Sequence, residues 1–267
     1  MICFPNAKIN IGLYVTGKRS DGYHTIETIF YPIPLTDALE AVKSEKTSLT
    51  QSGINIDSLP EDNLVMKAYN LISKKYNIPP LSLYLKKAIP SGAGLGGGSA
   101  DAAFTLKLLN DLCECNISDS KLEKMAASIG ADCPFFIHNK PLIATGTGNI
   151  FKPSDISLKG YIIYIIKPPV AVSTKEAYSN VKPQKPKFPL DKLSDFPVVE
   201  WKSILNNDFE ASVFEKYPII GEIKEKLYSM GAEYSAMSGS GSAVFGIFKE
   251  AISPVFPDCF VWKGILN

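Results

Sequence analysis

Glycine is concentrated at one place in this chain. Residues 90–100 read Pro90-Ser91-Gly92-Ala93-Gly94-Leu95-Gly96-Gly97-Gly98-Ser99-Ala100. Glycines let consecutive backbone N–H groups converge with no Cβ in the way, and a helix starting near Ser99 adds the positive end of its dipole. Such a segment can hold a polyphosphate largely by main chain. It follows a short strand in which Leu81, Leu83 and Leu85 alternate, and it runs into a helical stretch over residues 100–112. A strand, a glycine loop and a helix in that order make an anion cradle rather than a loose surface loop. It is not a P-loop, because no Gly-Lys-Ser/Thr follows, and it lacks the βαβ context and the acidic residue about 20 positions on that a dinucleotide site requires. No HRD or DFG segment accompanies it, which sets aside a protein-kinase loop.

The first strand alternates strictly. Ile9, Ile11, Leu13 and Val15 share one face, predicted to be buried, and leave Lys8, Asn10, Gly12 and Tyr14 on the other. Residues 17–22 are turn chemistry and residues 23–31 are rich in β-formers, so a hairpin is predicted. Residues 39–42 and 54–56 are weaker strand candidates. Helical spacing of Leu64, Ala68, Leu71 and Ile72 behind Asp62-Asn63 predicts a helix over residues 63–76. A second helix is read from Leu122, Met125, Ala126 and Ile129, with Ser120-x-x-Glu123 as capping box and Gly130 as its stop. Pro134 is expected to push Cys133 out of the helical region. Turn-rich residues 146–155 place a domain boundary near residue 153, giving domains of residues 1–152 and 153–267. Beyond it come a buried strand at Tyr161, a short helix capped by Ser173-x-x-Glu176, a proline-rich loop over residues 182–197, a helix over residues 218–230 with an Ile219, Ile223, Leu227 stripe, and an apolar strand over residues 243–248. Strands and helices in this irregular order indicate an α+β fold.

Composition bounds the partners. The chain has 267 residues, with 28 basic and 27 acidic side chains and 45% hydrophobic content, so it is a globular chain of one or two domains. A net charge of +1 is too small for a protein whose main task is to neutralise nucleic acid or a lipid surface; no nucleic acid and no membrane are expected as partners. The longest apolar run, residues 161–166, falls far short of the roughly 18–20 residues of a membrane helix. Pro5, Asn6 and Lys8 interrupt any signal-like apolar segment, so a cytoplasmic location is expected. Five cysteines, Cys3, Cys113, Cys115, Cys133 and Cys259, form no C-x-x-C pair and are read as reduced and mostly buried.

The glycine segment resembles the P-x-x-x-G-L-G-(S/G)-(S/G) signature of the kinase superfamily named after galacto-, homoserine, mevalonate and phosphomevalonate kinases. Ala7-Lys8-Ile9-Asn10-Ile11 with Asp21-Gly22-Tyr23-His24 is similar to the branch that acts on 4-diphosphocytidyl-2-C-methyl-D-erythritol. So are Gly130-Ala131-Asp132-Cys133-Pro134-Phe135-Phe136 and Asn206-Asn207-Asp208-Phe209-Glu210, while Met237-Ser238-Gly239-Ser240-Gly241-Ser242 corresponds to the superfamily's third glycine-rich motif. The five motifs stand in the right order over nearly the whole length. Two departures stand out. Gly97-Gly98 replace the Ser-Ser pair of better-known members, with Ser99 one step later, so no protein ligand is assigned to the Mg2+ expected with ATP. Ala100 and Asp101 stand where Ser and Asn are frequent.

The resemblance implies a two-domain α+β architecture, an N-terminal nucleotide-binding domain with a mixed sheet and a C-terminal ferredoxin-like α/β sandwich, with ATP and the acceptor meeting between them. It implies ATP contacts from Pro90, Gly92, Ala93, Gly94, Leu95, Gly96, Gly97, Gly98 and Ser99, from Ser238, Gly239, Ser240 and Gly241, and an adenine wall at Asn63. Tyr23, His24, Thr174 and Tyr178 fall to the cytidine end. Phosphoryl transfer to an alcohol needs charge neutralised, a hydroxyl held in line and a group to take its proton. Asp132 fits as the base, Lys8 as the ammonium that keeps it ionised, and Asn10, on the same face as Lys8, as a hydroxyl ligand. The alternatives are a sister kinase for homoserine or mevalonate and a non-catalytic nucleotide sensor; the first has no nucleobase to recognise, and the second could lose Lys8 or Asp132 freely.

Overall fold

The computed structural model describes residues 1–54 and 62–267. The strands are β1 (Ile2–Cys3), β2 (Asn6–Lys18), β3 (His24–Thr36), β4 (Ala38–Lys43), β5 (Ser48–Gly53), β6 (Leu81–Lys87), β7 (Leu142–Thr145), β8 (Ile150–Pro153), β9 (Ile162–Lys167), β10 (Tyr234–Met237), β11 (Val244–Phe248) and β12 (Phe260–Ile265). The helices are α1 (Leu64–Ser73), α2 (Gly97–Leu112), α3 (Asp119–Ala127), α4 (Cys133–His138), α5 (Thr174–Ser179), α6 (Trp201–Ile204), α7 (Glu210–Lys216) and α8 (Pro218–Ser229). The chain forms two compact units.

The first unit comprises residues 1–7, 35–91 and 96–140. Its sheet runs β1-β4-β6-β5, antiparallel except for the parallel pair β5 and β6. The leucine alternation of β6 is realised as expected: Leu81, Leu83 and Leu85 are buried, and the same register carries Lys87 to the buried face. The helix predicted over residues 63–76 forms with Asn63 as N-cap, its Oδ1 accepting from Val65 N at 2.9 Å. Its buried face is Val65, Ala68, Tyr69 and Ile72, turned from the predicted stripe so that Leu64 and Leu71 are only half-buried. The candidate strand at residues 54–56 falls largely outside the described residues, and the strand of this region is β5.

Two helix ends differ from expectation. Ser118, not Ser120, stands at the N-cap of α3, and its side chain makes no cap bond there, so the capping box does not form. Cys133 opens α4 with Pro134 in its first turn, where a missing N–H costs nothing because that donor has no helical partner.

The second unit comprises residues 8–34, 92–95 and 141–267. One sheet runs β2-β3-β7-β8, in which the turn-rich residues after 145 close a hairpin between β7 and β8. The other runs β10-β11-β9-β12, wholly antiparallel. Read in chain order as first to fourth strand, this is the 4-1-3-2 arrangement of a ferredoxin-like sheet; the last crossover is irregular chain rather than a helix. Leu13, Val15 and Ile26 of the hairpin share one core with Tyr164, Ile166 and helix residues Ile220, Ile223 and Leu227.

The first strand is buried on both faces, against the prediction of one: Lys8 and Asn10 are each 3% exposed. The proline-rich segment contains a 3-10 turn, Leu190–Asp195, whose Leu190 and Leu193 are buried. A methyl on Gly12 would lie 3.2 Å from Leu190 Cδ2, which shows what covers that face of β2. The five cysteines are free, but only Cys133 is buried and the rest are half-buried. Among the described residues, no group of three or more His, Cys, Asp or Glu could hold a metal, and no helix is long and apolar enough to cross a membrane.

The stripe of α8 is turned by one residue at its start. Ile220, not Ile219, is inward, with Ile219 39% exposed. Ile220→Ala is expected to cost about 2–5 kcal/mol in urea unfolding, and Ile219→Ala no more than about 0.5 kcal/mol. Equal losses would contradict this register.

Candidate active site

Lys8 is held on β2 by neighbours that leave little freedom. Its Nζ donates to Asn10 Oδ1 at 2.7 Å and to the carbonyl oxygen of Gly94 at 2.8 Å. Asn10 Nδ2 in turn donates to Thr28 Oγ1 at 3.0 Å, and Thr28 Oγ1 donates to Gly12 O at 2.5 Å. The relay uses the amide's acceptor for the lysine and its donor for the threonine, which fixes the Asn10 orientation. The backbone N–H of Lys8 donates to Leu95 O at 2.9 Å.

The third glycine-rich segment joins the same point. Ser238 Oγ donates to Gly94 O at 2.9 Å, and Ala243 N donates to Ala93 O at 3.1 Å. Gly94 has φ +74°, and a Cβ on it would overlap the carbonyl of Ser238, so only glycine fits. Asn207 Nδ2 donates to the carbonyls of Met237 and Gly239, both at 2.8 Å, while its Oδ1 accepts from Phe209 N at 3.0 Å. Glu210 Oε1 accepts from Met237 N at 2.8 Å and its Oε2 from Lys224 Nζ at 2.6 Å. Burial raises the Glu210 carboxyl above its ordinary range, and Lys224 pulls it back.

In the first unit the loop becomes a helix. Gly96 is the left-handed N-cap of α2 at φ +72°, so the amides of Gly97, Gly98 and Ser99 are the unpaired first-turn donors of a 16-residue helix. A methyl on Gly98 would lie 3.5 Å from Leu64 Cδ1, which puts the start of α1 beside that turn. Asn63 itself uses its side chain on the cap of α1 and on Gln51 Oε1, at 2.9 Å. Asp132 is half-buried at the N-cap of α4. The next residue, Cys133, shares a hydrogen bond with the Ser99 hydroxyl, and burial pushes its thiol up to about 11. The Asp132 turn is thereby tied to the end of the glycine segment.

At the other end of β2, His24 and Tyr178 stack with ring centroids 4.9 Å apart and an angle of 21°, and Tyr178 meets Phe209 edge-on at 4.7 Å. Tyr23 is 68% exposed beside them. Thr174 Oγ1 lies 3.3 Å from Ser240 Oγ. Of the residues read from sequence, the second unit thus brings Lys8, Asn10, Gly94 and Ser238 together, and separately His24 with Tyr178 and Thr174 with Ser240. The first unit brings Gly96 to Ser99 beside Leu64 and, through Cys133, beside Asp132. Thr28, Asn207 and Glu210 were not among the candidate site residues. Asn207 and Glu210 lie in a quoted motif, but their hold on residues 237–239 has no periodic signal.

The chain matches the family described as GHMP kinases N terminal domain over residues 63–140 and GHMP kinases C terminal over residues 197–255. With the two-unit α+β fold, this defines a GHMP kinase. A 4-diphosphocytidyl-2-C-methyl-D-erythritol kinase of Parabacteroides distasonis is 58% identical over 271 residues, covering 100% of both chains. The Porphyromonas gingivalis kinase of the same name is 51% identical over 274 residues, again covering 100% of both. A crystal structure of 4-(cytidine 5'-diphospho)-2C-methyl-D-erythritol kinase superposes with TM-score 0.78 at 30% identity, covering 92% of this chain and 90% of that one. Homoserine kinase from Cytophaga hutchinsonii shares the fold alone, at TM-score 0.69 and 16% identity over 98% of this chain and 95% of that one. The chain belongs to the 4-diphosphocytidyl-2-C-methyl-D-erythritol kinase family of GHMP kinases.

Asn207→Asp tests the support of the third glycine-rich segment. A carboxylate facing two carbonyl oxygens has no donor for them, so unfolding free energy is expected to drop by more than about 2 kcal/mol, with a raised KM for ATP. Unchanged urea stability would show that residues 237–239 are held by something else.

Proposed function

We propose that this chain transfers the γ-phosphoryl group of ATP to the 2-hydroxyl of 4-diphosphocytidyl-2-C-methyl-D-erythritol, giving the 2-phosphate and ADP, a step of the non-mevalonate route to isoprenoids. The family relationship supports ATP as phosphoryl donor. The observation that carries the choice of acceptor is the His24 and Tyr178 stack, with Tyr23 exposed beside it. A flat aromatic pair suits a pyrimidine ring, whereas homoserine and mevalonate carry no base for it. A silent nucleotide sensor would have no need of a lysine fixed as Lys8 is.

The amides of residues 94–99 and the segment 238–241 hold the triphosphate, with the Asn63 and Leu64 turn as a wall for adenine. Lys8 and Asn10 orient the acceptor hydroxyl. Its oxygen attacks the γ-phosphorus, the bond from that phosphorus to the β,γ-bridging oxygen breaks, and the hydroxyl proton passes to the Asp132 carboxylate. Tyr23, His24, Tyr178 and Thr174 hold the cytidine end. Mg2+, which takes most of its ligands from phosphate oxygens and water, would neutralise the phosphates. Residues 1–152 and 153–267 are the proposed domains, with one family match on each side of the boundary, and the cytoplasm is the proposed location.

Asp132→Asn is expected to lower kcat by about 10²–10⁴-fold with little change in the KM for either substrate, read by coupled ADP release. Near-wild-type turnover would remove Asp132 from the base role. Tyr178→Ala is expected to raise the KM for the cytidine-bearing acceptor about tenfold or more and leave the KM for ATP alone; a change confined to ATP would contradict the assignment of that end.

A further inference from the structure

A buried charge cluster lies beneath the first turn of α2, and the proposed chemistry does not use it. Lys87, at the end of β6, directs its Nζ to Asp37 Oδ2 and, at 2.6 Å, to Asp101 Oδ2; all three side chains are no more than 3% exposed. Two carboxylates share one ammonium, so the fully ionised cluster carries a net charge of −1. The carboxylates are not equivalent. Asp37 Oδ1 also accepts from Ala88 N at 2.6 Å and Ile89 N at 2.9 Å, whereas Asp101 Oδ1 is buried with no hydrogen-bond partner among the described residues. An ionised carboxylate is favoured where donors reach it and disfavoured where burial leaves an oxygen bare. Asp101 is therefore the member that takes up a proton: burial pushes it up to about 7, against the pull of Lys87.

Its position connects that proton to the cradle. Gly97 and Asp101 are one helical turn apart on the same face. A methyl on Gly97 would lie 3.4 Å from Lys87 Nζ and 2.8 Å from Ile89 Cγ2, so the ammonium sits directly under the first residue of α2. Among the described residues, the charges acting on the Asp101 carboxyl are those of Lys87 and Asp37. Cys3 of β1 has its thiol raised to about 12, chiefly by burial, and Cys133 of α4 has its own raised to about 11, so both are neutral thiols. Tyr69 of α1 spends its hydroxyl on Pro79 O at 3.1 Å, and Lys107, further along α2, donates to Ile137 O at 3.3 Å.

We propose that the Asp37, Lys87 and Asp101 cluster links nucleotide affinity to pH: with Asp101 protonated the cluster is neutral and the first turn of α2 holds the polyphosphate more tightly, and with Asp101 ionised the added negative charge weakens that hold. Asp101 is a positioning and tuning residue here, not a catalytic one. The proposal rests on the reading of residues 94–99 as the phosphate cradle. The sign follows from linkage. Binding that favours the protonated form falls off as pH rises through the neutral range, and, reciprocally, bound nucleotide raises the midpoint of Asp101.

The test compares the wild type with Asp101→Asn, which has nearly the same shape and no titration. KM for MgATP, measured from pH 6 to 8.5, is expected to rise about fivefold more in the wild type than in Asp101→Asn, the size of one charge acting through a partly screened medium. Should the variant fold poorly, wild-type protein with ¹³C-labelled aspartate carboxyls gives the same answer. A carboxyl signal titrating near neutrality, moved to higher pH by saturating ADP, is expected. Parallel pH profiles in the two proteins, or carboxyl signals that all titrate near the ordinary range or ignore ADP, would overturn the proposal. Absence of any ATP turnover or ADP binding in the wild type would instead overturn the kinase reading itself.

Discussion

The carbonyl oxygen of Gly94 accepts from the ammonium of Lys8 and from the hydroxyl of Ser238, at 2.8 and 2.9 Å. One acceptor thus ties the first strand, the first glycine-rich segment and the third to a single point. It can do so only because residue 94 has no side chain: a Cβ would overlap the Ser238 carbonyl, and φ is +74°. A long, flexible lysine stem would otherwise sample many rotamers. Here its head is fixed from two sides, by a backbone carbonyl and by Asn10, which is itself held by Thr28. Precision of this kind is what phosphoryl transfer requires, since positioning and charge stabilisation supply most of the rate.

The supports are layered. Asn207 and Glu210 reach the third glycine-rich segment from the start of α7, and Asn207 is fixed in turn by its own link to Phe209 N. That stretch also runs beside β2: Leu13 N donates to Asn206 O, Asp208 N to Leu13 O, and Val15 N to Asp208 Oδ2. The motif around residues 206–210 therefore serves geometry, tying the strand that carries Lys8 to the glycine segment that touches Gly94. Buried carboxylates that appear in both units, Glu210 with Lys224 and Asp37 with Lys87, sit where they fix backbone N–H groups. Breaking such a pair by removing one partner is costlier than the pair is worth, because it strands the other charge.

Much of this was legible in the residues. The leucine alternation of β6 and the glycine loop are local signals, of period 2 and of absent Cβ, and formed where expected; the helix after the loop begins at Gly97, three residues ahead of the predicted start, and takes in the last two glycines. The cap at Ser173 is equally local, with Glu176 N donating to Ser173 Oγ at 3.1 Å. What failed was decided at a distance. The polar face of the first strand is buried because Gly94, Thr28 and the segment around Leu190 lie against it, and no window of β2 contains them. The stripe of α8 turned by one residue because tertiary packing, not the spacing of isoleucines, picks the inward face. Lys87 could have been found by continuing the count from Leu85 by two; its partners Asp37 and Asp101, 50 and 14 positions away, could not.

A crystal structure of the complete enzyme with a non-hydrolysable ATP analogue and 4-diphosphocytidyl-2-C-methyl-D-erythritol addresses the role of the fixed lysine most directly. The expected result is Lys8 Nζ within about 3 Å of the acceptor's 2-hydroxyl oxygen while still donating to Gly94 O, with that oxygen in line with the γ-phosphorus. An acceptor bound with its 2-hydroxyl remote from Lys8, or a lysine that has left Gly94 to reach it, would contradict the account.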